Sequence, residues 1–138
     1  MATPSLQLMP PSEPPGTYVP GACNIGPAEI ARRRRSAIVA TIIAVGIELV
    51  LLAVNAPRPV RLLVGLPATA VIATWMQVVL RFCLGFATAG LYNFGALGTP
   101  EHVQDPEGRN ADLRRVRSLL AVALIGGLAI GVAAALVP

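Results

Sequence analysis

The sequence predicts an all-α integral membrane protein with three transmembrane helices, an interfacial segment after the second helix and an extended proline-rich N-terminal arm. Three apolar stretches, 36–54, 62–80 and 118–137, contain one charged residue between them, Glu48. A helix of about 20 residues spans about 30 Å, the thickness of the hydrocarbon core of a bilayer. The composition agrees, because 54% of the residues are hydrophobic and only 13% are charged, unlike those of soluble globular domains.

The first part of the chain, 1–21, is the predicted arm, and residues 22–138 form the transmembrane domain. The arm is rich in proline, so we expect it to be extended, polyproline-like or disordered. A proline-rich segment loses less entropy on docking because its backbone is already restricted. We therefore expect the arm to lie against a partner protein.

The first helix is predicted to begin near Pro27 and to run to about Val54. Proline suits the first helical position, where its missing N–H group costs nothing. Glu29 follows in the first turn, where a negative charge interacts favourably with the helix dipole. Segment 55–59 contains two prolines, which we expect to end the helix.

The second span, 62–80, is followed by the predicted interfacial segment 81–97, in which Arg81 is the only charged residue. Aromatic residues collect at the headgroup level of a bilayer, which favours a helix lying along the inner surface. The alternative is a tilted helix that runs on to about Gly90, with Arg81 reaching back to the headgroups. An inner loop, 98–116, follows, and Asn110 is expected to cap the third helix. The interfacial aromatic residues are Phe82, Phe86, Tyr92 and Phe94.

All eleven basic residues are arginines, and they predict the orientation of the chain. Short cytoplasmic loops retain positive charge, so the arginine-rich side is inside, with the N-terminus inside and the C-terminus outside. This predicts a multi-pass membrane protein with its arginine-rich side toward the cytoplasm. The arginines border spans and do not cover a polar face, which argues against nucleic-acid binding. The inner arginines are 32–35, 81, 109, 114, 115 and 117, and the outer ones are Arg58 and Arg61.

A stripe of small residues on the third span is the first candidate functional feature. Residues four apart share a helix face, and small residues there let another helix approach closely. The groove receives either another helix of this chain or a partner protein. The helix-packing stripe is Ala123, Gly127, Gly131 and Ala135.

Polar residues inside the spans are the second candidate. Glu48 is an intramembrane acid, and such residues are functional candidates because burial of a charge is expensive. The simpler interpretation is a protonated side chain, or one that reaches toward Arg58 or Arg61. Thr74, Gln77 and Arg81 are spaced three and four apart on the second helix, where they are expected to hydrogen-bond to other helices or to line a substrate path.

The chain lacks the residue patterns of catalytic and cofactor sites. Its one histidine, His102, lies outside the spans, so we expect no haem or pigment ligand. Cys23 and Cys83 have no spacing typical of a metal site, and on a reducing inner side they are expected to be ordinary apolar residues. The sequence shows no paired carboxylates and no nucleophile beside a base. We therefore predict no enzyme activity, no cofactor and no metal.

Three short elements carry a resemblance to a known family. They are Cys-Asn-Ile-Gly-Pro-Ala-Glu-Ile-Ala-Arg at 23–32, Arg-Phe-Cys at 81–83 and Tyr-Asn-Phe at 92–94. Together with the spans, they resemble an uncharacterised family of small bacterial multi-spanning membrane proteins. The resemblance covers most of the chain from Cys23 onward. It implies a bacterial origin, and with it the bacterial inner (cytoplasmic) membrane, but no activity.

These observations predict a non-catalytic accessory subunit of a larger bacterial membrane complex, which it stabilises by helix packing and by its arm. Energy-transducing assemblies, namely photosynthetic reaction-centre or light-harvesting complexes and respiratory electron-transport complexes, are the leading hosts by association. Its partners would be larger subunits and lipid, with pigment or quinone in apolar contact only. One alternative is a small oligomeric channel or transporter component that uses Glu48. Another is a cytoplasmic-face thiol sensor that uses Cys23 and Cys83.

Overall fold

The computed structural model describes residues 17–138, and it confirms the predicted fold class. Three helical segments are long and apolar enough to cross a membrane: Pro27–Ala53, Arg58–Val79 and Pro106–Leu136. Most of the predicted arm, 1–16, lies outside the described residues. The elements in chain order are α1 (Pro27–Ala53), α2 (Arg58–Leu62), α3 (Gly65–Val79), α4 (Leu84–Ala89), β1 (Leu91–Tyr92), β2 (Glu101–His102) and α5 (Pro106–Leu136).

Helix α3 is the centre of the three-helix arrangement. It packs against both α1 and α5, while α1 and α5 hardly touch each other. As a result, the large apolar side chains of α1 are mostly exposed. We call the end of the bundle that carries the start of α1 the arginine end, because Arg32 to Arg35 lie there.

Helix α1 begins at Pro27 as predicted and ends one residue before Val54. Its end is a Schellman motif, in which Asn55 adopts a left-handed φ of 51° and Ala56 N–H donates to the Leu51 carbonyl at 2.9 Å. The following prolines start the next helix: Pro57 is its N-cap and Pro59 lies in its first turn. The second membrane segment therefore begins at Arg58 and not at residue 62.

Pro67 explains why the second segment is divided into α2 and α3. A proline ring clashes with the carbonyl four residues earlier and removes one helical hydrogen bond. That carbonyl belongs to Leu63, at the junction of the two helices. At this junction, hydrogen bonds between residues three apart replace the regular ones between residues four apart. They run from Val64 N–H to the Arg61 carbonyl and from Leu66 N–H to the Leu63 carbonyl. The segment is therefore kinked but nearly continuous.

Helix α3 ends at Val79, so the alternative of a tilted helix running to Gly90 is wrong. Arg81 has a left-handed φ of 53°, and Phe82 N–H donates to the Gln77 carbonyl at 3.2 Å in a second Schellman motif. The predicted interfacial segment contains α4 and β1, and β1 pairs antiparallel with β2. Phe82 does not have the predicted interfacial position: it is fully buried against Ala87, Val116 and Leu119.

Helix α5 begins at Pro106, so the predicted inner loop 98–116 is helical from that residue onward. The prediction that Asn110 caps the helix is wrong. Asp105 is the N-cap, because its carboxylate accepts hydrogen bonds from the N–H groups of Glu107 and Gly108 at 3.2 and 3.0 Å. With 31 residues, α5 is about 46 Å long, so its first turns extend beyond the length needed to cross a bilayer.

Candidate functional site

Buried polar side chains at the arginine end join the chain before α1 to the turn after α3. Asn24 is fully buried, and its side chain pairs with the backbone of Cys83 in both directions. Its Oδ1 accepts from Cys83 N–H at 2.6 Å, and its Nδ2 donates to the Cys83 carbonyl at 3.0 Å. The N–H groups of Asn24 and Ile25 donate to the Arg81 carbonyl. We call this region, residues 17–26 and 81–112 with the first turns of α1, the polar cap.

Asn93 and Glu29 form the middle of the polar cap. Asn93 Nδ2 donates to Glu29 Oε1 at 3.3 Å, and the Asn93 carbonyl accepts from Gly26 N–H at 2.8 Å. Glu29 is 1% exposed, and its other oxygen forms ion pairs with Arg32 at 3.1 Å and Arg33 at 3.6 Å. The buried carboxylate is thus neutralised by the arginine run itself.

Asp112 anchors the described end of the predicted arm to α5. Its carboxylate accepts from the Tyr18 hydroxyl at 2.9 Å and from Gly21 N–H at 2.7 Å. Gly21 has a φ of 68°, and with Pro20 before it and the hydrogen bond from Ala22 N–H to the Val19 carbonyl, it follows the type II turn pattern. Residues 17–21 are therefore folded onto the chain itself and are not extended.

The polar cap brings together the three sequence elements that carry the family resemblance, 23–32, 81–83 and 92–94. Sequence reasoning identified these elements but missed Asn24, Asn93 and Asp112 as buried polar residues. Short polar side chains beside glycine and proline usually indicate turns. Only burial distinguishes Asn24 and Asn93 from ordinary turn residues, and Asp112 from an ordinary exposed residue of α5. A single sequence does not contain that information.

Glu48 lies in an apolar cleft of about 410 Å³ between α1 and α5, with the middle of the second segment as its floor. We call it the α1–α5 cleft. One carboxylate oxygen, Oε2, is buried and has no hydrogen-bond partner among the described residues. The predicted ion pair with Arg58 or Arg61 does not form. Arg61 donates instead to the Val137 carbonyl at 2.6 Å, at the C-terminal end of α5.

The polar residues of the second helix have separate roles. Thr74 donates to carbonyls of its own helix. Gln77 Oε1 accepts from Leu84 N–H at 3.3 Å and from Arg33 at 3.5 Å, which joins α3 to the polar cap. The Arg81 side chain is exposed. These three residues do not line one shared path.

The small-residue stripe is used within the chain. A Cβ atom added at Gly127 would overlap Thr69 Oγ1, and one added at Gly131 would lie 2.5 Å from the Leu62 carbonyl oxygen. Ala123 is fully buried, and Ala135 is half-buried at the far end of α5. Of the two interpretations, contact with another helix of the same chain is the one observed.

The remaining interfacial aromatic residues surround the polar cap. The Arg33 guanidinium lies 5.4 Å from the ring centre of Phe86, a cation–π distance. Tyr92 stacks on Tyr18 at 4.9 Å, and its ring centre is 6.2 Å from that of Phe94. Phe86, Tyr92 and Phe94 are half-buried, and their interfacial position stays a prediction.

The two cysteines are free thiols. Cys83 is 2% exposed, and its sulfur accepts from Phe86 N–H at 3.2 Å as the N-cap of α4. Burial raises the pKa of the Cys83 thiol, which reduces the thiolate fraction that a thiol sensor requires. Cys23 is half-buried and His102 is exposed. In residues 17–138, no group of three or more His, Cys, Asp or Glu side chains has the arrangement of a metal site.

The fold and these sites define a small protein of three membrane-length helices, closed at one end by a polar cap. No family model, no curated protein and no solved structure matches the chain. The resemblance to small bacterial multi-spanning membrane proteins therefore stays a prediction.

Proposed function

We propose that this chain is a non-catalytic accessory subunit of a larger membrane complex, and that a helix of a larger subunit packs in the α1–α5 cleft. The observation that carries the proposal is the buried Glu48 Oε2 atom, which has no hydrogen-bond partner among the described residues. A buried polar group without a partner is destabilising. A partner helix that hydrogen-bonds to the half-buried Glu48 carboxyl group would offset that penalty.

A protein helix suits the cleft better than lipid. An acyl chain would contact the apolar walls formed by Ala44, Ala68 and Ala133, but it has neither a donor nor an acceptor for Glu48. Serine, threonine, asparagine and glutamine side chains form such hydrogen bonds between membrane helices. Small residues in the walls also permit close approach of another helix.

In this proposal the partner contacts the α1–α5 cleft and not the small-residue stripe of α5. The stripe at Gly127 and Gly131 is covered by the second segment of the same chain, so a partner helix would use the α1–α5 cleft instead. The large apolar side chains of α1 are exposed on both sides of it. An energy-transducing host complex stays a prediction from the size and composition of the chain, as do the bacterial inner membrane and the N-terminus-inside orientation.

Site-specific crosslinking tests the proposal directly. A photoreactive amino acid at Ala44 lies in the cleft, and one at Gly46 lies in open space on the other side of the same helix. In native membranes, the Ala44 probe should crosslink to a larger membrane protein more strongly than the Gly46 probe. Glu48→Leu should weaken copurification of that protein about threefold to tenfold, from the loss of one interhelical hydrogen bond.

Two controls complete the experiment. Ala44→Leu should block the cleft and abolish the association, while Gly46→Leu should leave it intact. A chain that crosslinks only to lipid or only to itself from Ala44 would contradict the proposal.

The channel or transporter alternative rests on the same carboxyl group, and Glu48→Gln separates the two functions. Glutamine keeps hydrogen-bonding capacity but does not titrate, so an accessory subunit retains its partner. A proton or cation path through Glu48 would instead lose conduction in reconstituted vesicles, while the chain remained assembled.

A further inference from the structure

A groove of about 670 Å³ lies at the arginine end, between the start of α1 and the end of α3. We call it the arginine groove. Arg34 lines it from α1 and Arg81 lines it from the turn after α3, while Ile30, Trp75 and Val79 supply apolar surface. The groove is separate from the α1–α5 cleft.

Arg34 and Arg81, unlike Arg32 and Arg33, have no acidic partner among the described residues. Glu29 forms ion pairs with Arg32 and Arg33, but no ion pair involves Arg34 or Arg81 within residues 17–138. The groove has no acidic lining residue there either. Both side chains are exposed, so two positive charges face the groove without neutralisation.

The start of α1 lines the groove beside the arginines. Gly26 and Pro27 lie there at the N-terminal end of α1, and Glu29 in the first turn offsets the partial positive charge of this helix end. The two arginines are therefore what makes the groove favour an anion. The apolar surface of Trp75 and Val79, inside the second membrane segment, favours an acyl chain.

We propose that the arginine groove binds an anionic phospholipid, with the phosphate between Arg34 and Arg81 and an acyl chain along Trp75 and Val79. Arginine is well suited to phosphate because its guanidinium donates hydrogen bonds in a fixed planar geometry. A zwitterionic lipid has a phosphate but also a cationic group, which the two arginines repel. The groove therefore selects lipids by net headgroup charge.

The chain contains one tryptophan, and it lines this groove, so its fluorescence reports occupancy. The purified full chain is reconstituted in phosphatidylcholine vesicles that contain increasing amounts of phosphatidylglycerol with brominated acyl chains, which quench tryptophan. Brominated phosphatidylcholine is the matched lipid control. We expect phosphatidylglycerol to quench Trp75 at a clearly lower mole fraction than phosphatidylcholine does.

Arg34→Gln and Arg81→Gly should each lower the preference for phosphatidylglycerol about fivefold, from the loss of one arginine contact with the headgroup phosphate. Arg35→Gln is the matched control, because Arg35 belongs to the same exposed run but does not line the groove. Glycine is used at position 81 because it adopts the left-handed φ of this residue, so the variant retains its fold.

Equal quenching by the two lipids, an equal loss in Arg35→Gln, or an unchanged preference in the Arg34→Gln, Arg81→Gly double variant would each overturn the proposal. Inorganic phosphate at constant ionic strength separates a free anion from a lipid. If phosphate abolishes the preference, the site binds free phosphate and the lipid assignment is wrong. If phosphate leaves the preference unchanged, the acyl chain contributes to binding as proposed.

Discussion

The polar cap and the membrane-length part of the bundle hold the same three helices together by different means. In the polar cap, fully buried Asn24 and Asp112 bind backbone and hydroxyl groups from distant parts of the chain. In the bundle, α5 touches the second segment through Gly127 and Gly131, and α1 keeps most of its apolar side chains exposed. Because lipid tails are as apolar as leucine, burial of such side chains between membrane helices gains little. Specific hydrogen bonds and close backbone contact must therefore position the helices.

Removal of the Asn24 side chain should cause the largest loss of stability and so tests the role of the polar cap. Asn24→Ala leaves the buried Cys83 N–H without an acceptor, whereas the Cys83 carbonyl still accepts from Ala87 N–H at 3.0 Å. An unsatisfied buried group costs about 1–3 kcal/mol and the lost hydrogen bond to the carbonyl about 1 kcal/mol more, so the unfolding free energy should fall by about 2–4 kcal/mol. Denaturant titration in detergent micelles, followed by circular dichroism, measures it. Asn110→Ala, at an exposed position of α5, should change stability by less than about 0.5 kcal/mol, and equal effects of the two variants would refute the proposed role of the polar cap.

The second prediction concerns the close contact in the bundle. Gly127→Ala places a Cβ atom onto Thr69 Oγ1 and 2.7 Å from the Gly65 carbonyl oxygen, so the helices must separate. Overpacking of this kind should lower stability by about 1–3 kcal/mol. The same denaturant titration applies, with Gly46→Ala as the control, because a Cβ atom there meets nothing within 4 Å. If Gly127→Ala is as stable as Gly46→Ala, the contact is not required.

The third prediction tests the link between the chain before α1 and α5. Tyr18→Phe removes the hydrogen bond to Asp112, which should lower stability by about 1 kcal/mol. Burial, and then the hydrogen bond and charge of Asp112, raise the pKa of Tyr18 above its ordinary value of 10.0.

This shift gives the pH dependence its sign. Because the folded pKa lies above the unfolded one, the contribution of Tyr18 is complete below about pH 10 and is lost as the pH rises further. Stability of the unsubstituted chain should therefore fall more steeply above about pH 10 than stability of Tyr18→Phe. Parallel curves for the two proteins would show that Tyr18 is not coupled to folding.

The sequence predicted the bundle better than the polar cap, and the physical reason is the range of the signals. Hydropathy and helix length are local, so the apolar stretches and the beginning of α1 at Pro27 were predicted correctly. The break at 55–59 was predicted correctly, but the start of the second segment at Arg58 was missed, because proline disrupts a helix interior but fits its first turn. Asn110 was preferred as the cap of α5, although Asp105 before Pro106 has the stronger local pattern.

The candidate sites depended on information that is not local. The spacing of Gly127 and Gly131 predicted a packing face but not which helix covers it. Glu48 was recognised as unusual from its position in an apolar stretch. Its lack of contact with Arg61 could not be predicted, because Arg61 donates instead to the Val137 carbonyl at the end of α5. Asn24 and Asn93 resembled turn residues because their partners lie about 60 residues away in sequence.

The smallest predicted effect is a gain of stability from a glycine substitution, and its size should differ between the two ends of the bundle. The C-terminal ends of α1 and α3 are each followed by a non-glycine residue with left-handed φ: Asn55 after α1, and Arg81 after α3 beside the polar cap. Asparagine tolerates this conformation better than arginine does. Arg81→Gly should therefore raise the unfolding free energy by about 0.5–1 kcal/mol, and Asn55→Gly should raise it by less. Parallel denaturant titrations in neutral detergent, without anionic lipid, measure both. A loss of stability in Arg81→Gly alone would mean that the arginine side chain itself holds the polar cap together, and that its position reflects folding and not a bound anion.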